Sequence, residues 1–237
     1  MKPIGFSTGA LAKGDFATGL DAQRQVARID AVELSALRDY ELPGLVDAIP
    51  NLDLDPFEYV SFHAPSKLQT LDEHTVFELL LAIPDSWPII VHPELLHTPS
   101  LWQELGDQLC IENMDNRKTT GRTIAELHAL FDAFPAATFC LDLGHARQID
   151  PTMASAMLML QEFGGRLREL HVSEVGPRGE HLPVGATTRQ AFARIVHLVP
   201  LDCPLIIESV IPTELIEREL DTVSAVFDAI APQAAIA

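Results

Sequence analysis

The sequence predicts an α/β fold built as a single (β/α)8 TIM barrel. Short apolar runs alternate with segments of helical periodicity eight times, and successive runs mostly begin about 20 to 36 residues apart. A chain of 237 residues is long enough for one such domain, so we expect residues 1–237 to form it. An open doubly wound sheet is the alternative, but the turn at residues 7–14 lacks the glycine-rich phosphate-binding pattern that such a sheet would need.

Each predicted strand is a short run rich in β-branched and other apolar residues. Each predicted helix places apolar residues three or four positions apart, as in Val76, Leu79 and Leu80, where Pro84 then ends the helix. The predicted strands span residues 4–7, 31–34, 59–63, 88–91, 109–111, 138–141, 167–172 and 205–207. The predicted helices span residues 20–29, 42–48, 72–83, 99–106, 124–134, 151–163, 189–198 and 213–229.

Composition narrows the function classes. The net charge of -18 argues against broad binding to nucleic acid or to an anionic membrane surface, because that binding depends on clustered Lys and Arg. No apolar run approaches the roughly 20 residues that span a bilayer, and no signal-peptide segment precedes the first strand. The three cysteines lie in apolar settings without CxxC spacing, which indicates reduced thiols. We therefore expect a cytoplasmic protein with a small-molecule substrate; a homo-oligomer is compatible with the sequence.

Six predicted strands end at a histidine or a carboxylate. The carboxyl ends of barrel strands meet at one mouth, so these groups should converge. Clustered carboxylates in a low dielectric repel one another, and a divalent cation held by mixed imidazole and carboxylate ligands removes that repulsion. A buried salt-bridge network is the alternative, but these strands contain few basic residues. The strand-end residues are His63, His92, Glu112, Asp142, His171 and Glu208.

The sequence around these residues resembles one known group of barrels. The matching stretches are SFHAP at 61–65, VHP at 91–93, IEN at 111–113, CLDLGHA at 140–146, LHVS at 170–173, GEHLPVG at 179–185 and IES at 207–209. Each stretch is weak alone, but their order and spacing together resemble the xylose isomerase-like barrels. That group includes sugar isomerases and epimerases and the endonuclease IV type of DNA repair enzyme.

The resemblance implies specific roles for these residues. Glu112, Asp142, His171 and Glu208 match the four-ligand metal set of the epimerases, in which Glu112 and Glu208 would also be the acid/base pair. This set implies one divalent ion: manganese, zinc, magnesium or cobalt. Four further histidines match the additional ligands of the three-zinc cluster of endonuclease IV, which leaves two or three ions as the alternative. They are candidates to bind either a metal or the substrate: His63, His92, His145 and His181.

The match departs from the nuclease pattern at Gly179, where an aspartate is expected two residues before the histidine. Glu180 is a candidate substitute for it. Lys118 and Arg178 are candidates to hold a phosphate or carboxylate of a substrate, although scattered surface cations would look the same. Glu33 shares the strand-end pattern and is a further candidate for substrate binding.

Three functions remain open. The first is a metal-dependent isomerase or epimerase of a sugar, sugar phosphate or related polyol, with proton transfer by carboxylates. The second is an endonuclease IV-like phosphoester hydrolase, and the third is a non-catalytic metal or metabolite-binding barrel. The histidines favour the hydrolase, whereas the net charge and the departure at Gly179 argue against a DNA substrate. On balance the sequence favours the isomerase.

Overall fold

Eight parallel strands close a barrel in this computed structural model, which describes residues 2–228. Around the barrel the strand order is β1-β10-β7-β6-β5-β4-β3-β2, and the pairing of β1 with β10 closes it. Two further strands, β8 and β9, form a separate antiparallel hairpin. The strands are β1 (Ile4–Ser7), β2 (Ala31–Ser35), β3 (Tyr59–His63), β4 (Ile89–Val91), β5 (Leu109–Glu112), β6 (Thr138–Asp142), β7 (Leu167–Val172), β8 (Glu174–Val175), β9 (His181–Leu182) and β10 (Leu205–Ile207). The predicted fold and its eight barrel strands are confirmed, with strand ends within one residue.

Helices follow the strands and pack outside the barrel. They are α1 (Thr8–Leu11), α2 (Phe16–Arg24), α3 (Leu42–Ala48), α4 (Glu73–Leu80), α5 (Pro99–Trp102), α6 (Ile124–Ala133), α7 (Leu143–Ile149), α8 (Ala154–Phe163), α9 (Ala186–Phe192) and α10 (Ile216–Phe227). Within the described residues no helix combines the length and apolarity needed to cross a membrane.

Several predicted helix boundaries were wrong because polar side chains cap the helices elsewhere. The predicted helix 20–29 is α2, which begins earlier because the Asp15 carboxylate accepts the N–H of Thr18 at 3.0 Å. The predicted helix 151–163 begins only at Ala154, after the Asp150 carboxylate has accepted the N–H groups of Thr152 and Ser155. The predicted helices 99–106 and 189–198 each divide into a shorter α-helix and a 3-10 turn. The end of the predicted helix 213–229 lies outside the described residues.

Helix α1 was not predicted, and neither were two further elements that bring histidines to the barrel mouth. Helix α7 follows β6 directly, because the Asp142 carboxylate caps it by accepting the N–H of His145 at 2.6 Å. The hairpin β8–β9 occupies the predicted polar loop, with Val175 paired to His181. Both elements carry a histidine toward the mouth.

The barrel interior is distinct from the main hydrophobic core. On β5, Leu109 and Ile111 belong to the large core that the helices cover, whereas Cys110 packs in a separate cluster with Ile90 and Cys140. Because side chains alternate along a strand, Glu112 shares the inward face of Cys110. The interior therefore has a small apolar layer below a polar layer at the carboxyl ends of the strands.

Candidate metal centre

Four side chains from consecutive strand ends converge at the barrel mouth. Glu112, Asp142, His171 and Glu208 each offer one potential ligand atom, and all four atoms lie within 4.8 Å of one another. The parallel register accounts for this arrangement, since Asp142 on β6 pairs with His171 on β7, which in turn pairs with Ile206 on β10. The structure thus brings the predicted four-residue set together.

A second group shares one of those residues. His63 ends β3, His92 directly follows β4, and their potential ligand atoms lie within 4.8 Å of each other and of a carboxylate oxygen of Glu112. Oε2 of Glu112 is 3.0 Å from Nε2 of His92 and 3.5 Å from Nε2 of His63. Oε1 of Glu112 is 3.4 Å from Nδ1 of His171. We call His63 and His92 the histidine side of Glu112, and Asp142, His171 and Glu208 its carboxylate side. The two sides are in contact, because His63 also forms a group with His171 and Glu208 whose potential ligand atoms lie within 4.8 Å of one another.

The donor atoms of the four-residue group fit a cation. Each residue carries one buried atom that makes no well-aligned hydrogen bond: Oε2 of Glu112, Oδ2 of Asp142, Nδ1 of His171 and Oε2 of Glu208. For Oε2 of Glu112 this holds although Nε2 of His92 is 3.0 Å away. A buried polar atom without a partner costs on the order of 1–3 kcal/mol, more when the group is charged. A divalent ion in contact with these atoms would satisfy them together. The residues present therefore fit a divalent metal.

The electrostatics of the group differ from residue to residue. Burial raises the pKa of Asp142 to about 8, with Glu208 and Glu112 acting in the same direction. Burial would also raise the pKa of Glu112, but the surrounding imidazoles, His92 first, hold it well below its usual range. The pKa of Asp142 is thus raised and the pKa of Glu112 is lowered, although both groups are buried.

The histidines are also shifted. Burial lowers the pKa of His92 to about 4. For His63 and His145 burial acts in the same direction, but nearby carboxylates, those of Glu33 and Asp142 first, outweigh it and raise the two pKa values to about 9 and about 10. A metal ligand must be deprotonated, so ion binding at this centre should release protons.

A buried layer fixes the orientation of His171 from below. Nε2 of His171 lies 3.0 Å from Oε1 of Glu169 and 3.1 Å from Oε2 of Glu33, and the hydroxyl of Tyr59 donates to Oε2 of Glu169 at 2.7 Å. These contacts leave Nδ1 of His171 facing the cluster. A carboxylate on the far nitrogen of a ligating histidine commonly sets its tautomer and basicity.

Of the two carboxylates beside His171, Glu33 was predicted as a site residue and Glu169 was not. Glu33 was predicted to bind substrate; it is completely buried beside Nε2 of His171, a position that favours orienting this histidine. Glu169 was missed, although it lies two residues before His171 and so shares its inward face.

Cys140 lies within ligand range of Glu169 and His171, but burial raises the pKa of its thiol well above the usual value. The thiol is thus a poor ligand.

His145 and His181 reach the centre from α7 and from the hairpin β8–β9 respectively. Nδ1 of His145 lies 2.9 Å from the carbonyl oxygen of Asn113 and 3.2 Å from Oε1 of Glu112. Nδ1 of His181 lies 2.9 Å from Oγ of Ser173 and 3.3 Å from Oε2 of Glu208. Among residues 2–228, neither histidine belongs to a group of three potential ligands within 4.8 Å.

The space beside these two histidines is filled by an arginine. Gly179 has a φ of 77°, and a Cβ built on it would lie 1.8 Å from Cζ of Arg117, which pairs with the buried Asp115. Glu180, the candidate substitute for the missing aspartate, pairs instead with Arg178, at 2.6 Å between Oε1 and Nε. A third metal site is therefore incomplete within the described residues.

A cavity of about 500 Å³ opens above the two ligand groups. Lys118 lines it, with Nζ 2.9 Å from Oε2 of Glu94 and 3.5 Å from Nδ1 of His92. Arg178 lines an adjoining cavity of about 460 Å³, and 88% of its side chain is exposed. Of the two predicted substrate-binding cations, Lys118 lies beside the cluster and Arg178 at its outer edge.

Solved structures of other proteins have a fold similar to that of this chain. No protein-family model and no curated protein matches the chain. Among solved structures, it resembles a family 2 AP endonuclease from Brucella melitensis, with a TM-score of 0.57 and 13% identity over 91% of this chain and 96% of that one. It also resembles endonuclease IV from Thermus thermophilus, with a TM-score of 0.55 and 18% identity over 96% and 99% of the two chains.

A third solved structure is the xylose isomerase-like TIM barrel protein from Mycobacterium smegmatis, which was solved in complex with magnesium. Its TM-score is 0.52, with 14% identity over 96% of this chain and 98% of that one. These neighbours bear the same names as the group that the sequence stretches resemble. The protein therefore has the fold of the xylose isomerase-like TIM barrels, the fold shared by endonuclease IV.

Proposed function

We propose that the protein is a divalent-metal-dependent hydrolase of phosphate esters that holds two ions, with Glu112 as a ligand of both. The observation that carries this proposal is that Glu112 belongs to two ligand groups at once, one with His63 and His92 and one with Asp142, His171 and Glu208. Paired metal sites are typical of enzymes that cleave phosphate esters.

Bound ions would supply the Lewis acidity that lowers the pKa of an attacking water and neutralises charge on the phosphoryl oxygens. The chain's own residues prepare the site for this chemistry. Glu169 holds Nε2 of His171, and the carbonyl group of Asn113 holds Nδ1 of His145. Lys118 places a cation beside His92 at the cavity wall, where it would contact a substrate anion.

An isomerase or epimerase, the function that the sequence favoured, is the second candidate. The four-residue group is sufficient for a single ion, and the net charge of -18 suits a small substrate better than a nucleic acid. Against it, Glu112 is surrounded by imidazoles that hold its pKa well below the usual range. A carboxylate of this kind is a weak general base, because effective proton transfer needs a pKa near the working pH.

The test compares two activities of one metal-loaded preparation. We expect hydrolysis of p-nitrophenyl phosphate or bis(p-nitrophenyl) phosphate, and we expect loss of that activity when His63 and His92 are both replaced by alanine. His197→Ala is the matched control, since His197 is an exposed histidine that does not line the cavity. Solvent-deuterium incorporation into a ketose or ketose phosphate, without hydrolysis of either ester, would replace the hydrolase by the isomerase.

A further inference from the structure

Four basic side chains line the cavity above the ligand groups, and two of them are already paired. Nε of Arg117 lies 3.0 Å from Oδ2 of Asp115, and Nζ of Lys118 lies 2.9 Å from Oε2 of Glu94. Both cations come from the loop that follows β5. Their charges are partly neutralised before any substrate enters, which limits what they add to the binding of an anion.

The other two cations, Arg38 and Lys67, come from the loops after β2 and β3 and have no such partner. Within residues 2–228, no carboxylate oxygen lies within 4.0 Å of either side-chain charge. The guanidinium of Arg38 donates to the carbonyl oxygen of Leu37 at 3.2 Å. Both side chains are exposed to solvent, in a chain with 34 acidic and 16 basic residues. Their charges are free for a ligand.

A built scaffold holds these two loops together. The buried Asp39 accepts the backbone N–H groups of Gln69, Thr70 and Leu71 through Oδ2, at 2.6, 2.5 and 2.8 Å. Oγ of Ser66 donates to the carbonyl oxygen of Leu37 at 3.4 Å. Burial alone would raise the pKa of Asp39, but these N–H groups outweigh it and lower the pKa to about 2.

The same contacts keep the local carboxylates away from Arg38. Asp39 is occupied by the N–H groups of the loop after β3, and Oε2 of Glu41 accepts the backbone N–H of Arg38 at 3.0 Å. The acidic residues next to Arg38 in sequence thus fix the backbone and leave the guanidinium unpaired. Lys67 follows His63 by four residues, so its Cα lies within roughly 14 Å of the Cα of His63.

We propose that Arg38 and Lys67 bind a second anionic group of a small phosphorylated substrate, a phosphate or a carboxylate remote from the bond that reacts. This inference rests on the proposed function and specifies its substrate class. The cavity contains both the reacting end, at Glu112 and Glu208, and the anion-binding end, at Arg38 and Lys67. Arginine and lysine contribute a planar fork and a point charge respectively, a combination that suits an oxyanion.

A small substrate fits the charge distribution better than a duplex. Binding to a nucleic-acid backbone needs many cations along one face, because affinity grows with the number of phosphates neutralised. Here two unpaired cations line a cavity of about 500 Å³ in a chain of net charge -18.

The experiment measures dissociation constants by calorimetry for three flexible ligands: propyl phosphate, propane-1,3-diyl bisphosphate and 4-phosphonooxybutanoate. The metal-loaded full-length protein should bind one or both two-anion ligands at least about tenfold more tightly than propyl phosphate, as expected for two charge-assisted contacts. The two-anion ligand with the larger preference identifies phosphate or carboxylate as the second group. In R38Q/K67M the ratio of the dissociation constant of propyl phosphate to that of the two-anion ligand should fall to near one.

Two control variants and three further measurements complete the test. R218Q removes one positive charge from an exposed site on α10 and should keep the preference, and R38K/K67R should restore it. Thermal unfolding checks that each variant is folded. An unchanged preference in R38Q/K67M overturns the inference, as does tight binding of a 20-base-pair duplex that this double variant abolishes. Metal content measured on the same samples tests the proposed function separately, because a protein without metal can still show the anion preference.

Discussion

The two sides of Glu112 are built differently. On the histidine side the partners are two imidazoles, and His92 lies at the cavity surface with a pKa lowered to about 4. On the carboxylate side Asp142 and His171 are completely buried, and each presents an atom without a hydrogen-bond partner. Counting Glu112, the carboxylate side offers three carboxylates and one imidazole to a cation, whereas the histidine side offers one carboxylate and two imidazoles. We expect the ion on the carboxylate side to bind more tightly and to exchange more slowly.

Replacing the shared residue should have the largest effect. Glu112→Gln removes the negative charge that both ligand groups use, so we expect both ions to be lost and hydrolysis to fall by more than about a hundredfold. Changing a residue that only supports a ligand already costs about 10–100-fold in metal affinity or activity. Metal analysis and steady-state kinetics measure the effect, with the exposed Glu214→Gln as the control. Retention of both ions by the Glu112 variant would show that the two sides are independent.

Removing the metal should destabilise the whole barrel. An ion present at a thousand times its dissociation constant stabilises the folded state by about 4 kcal/mol, which corresponds to a Tm change on the order of 10 °C for a protein of this size. Calorimetry of chelated and reloaded samples measures the difference. An identical Tm in both states would mean that the cluster is stable as a network of ion pairs.

The loss of Tm on chelation should grow as pH rises from about 6 to about 9. In the metal-free protein the pKa values of His63 and His145 are raised to about 9 and about 10, so their stabilisation is complete below about 6.5 and disappears above these values. The pKa of Asp142 is raised to about 8, so the metal-free fold also loses stability as pH rises toward that value, while the carboxyl group is ionised in the unfolded chain but still protonated in the folded one. Metal binding improves over the same interval because protons compete less. A difference in Tm that shrinks with pH would contradict this account.

Replacing one ligand at a time should show which of the two sides binds its ion more tightly. His92→Ala should release one ion and leave the more tightly bound one, whereas Asp142→Asn should weaken the tight site. Titration with a chelator, followed by metal analysis, distinguishes one release step from two. If His92→Ala loses the tightly bound ion, the assignment of affinities to the two sides is reversed.

Changes in the layer below His171 should have the smallest effects. Glu169→Gln removes the carboxylate from Nε2 of His171 and should weaken metal binding by about 10–100-fold, with the larger loss on the carboxylate side. Tyr59→Phe removes only the hydrogen bond to Glu169 and should cost less than that. Equal losses on both sides would indicate a general structural effect.

Much of the ligand arrangement could be predicted because it follows the strand period. A histidine or carboxylate at the end of a barrel strand points to the mouth, so the positions of His63, Glu112, Asp142 and His171 follow from local pattern and from the fold. The chemistry of Glu112 could not be predicted in the same way. Its pKa depends on four imidazoles that come from four separate segments of the chain.

The contacts that were not predicted from the sequence join residues far apart in the chain or involve side chains that cap helices. Tyr59 and Glu169 are 110 positions apart, and the Arg117 guanidinium fills the space over Gly179 from a different loop. Helix α7 was missed because Asp142 was interpreted only as a ligand, although one of its oxygens also caps the helix. A single carboxylate thus has two structural roles, and a linear pattern shows only one of them.

The most direct test is anomalous diffraction from a crystal of the full chain soaked in manganese. We expect two peaks on opposite sides of the Glu112 carboxylate, one in contact with His63 and His92 and one with Asp142, His171 and Glu208. A single peak on the carboxylate side would contradict the two-ion site. The absence of any peak, with these side chains paired to one another, would contradict a metal centre altogether.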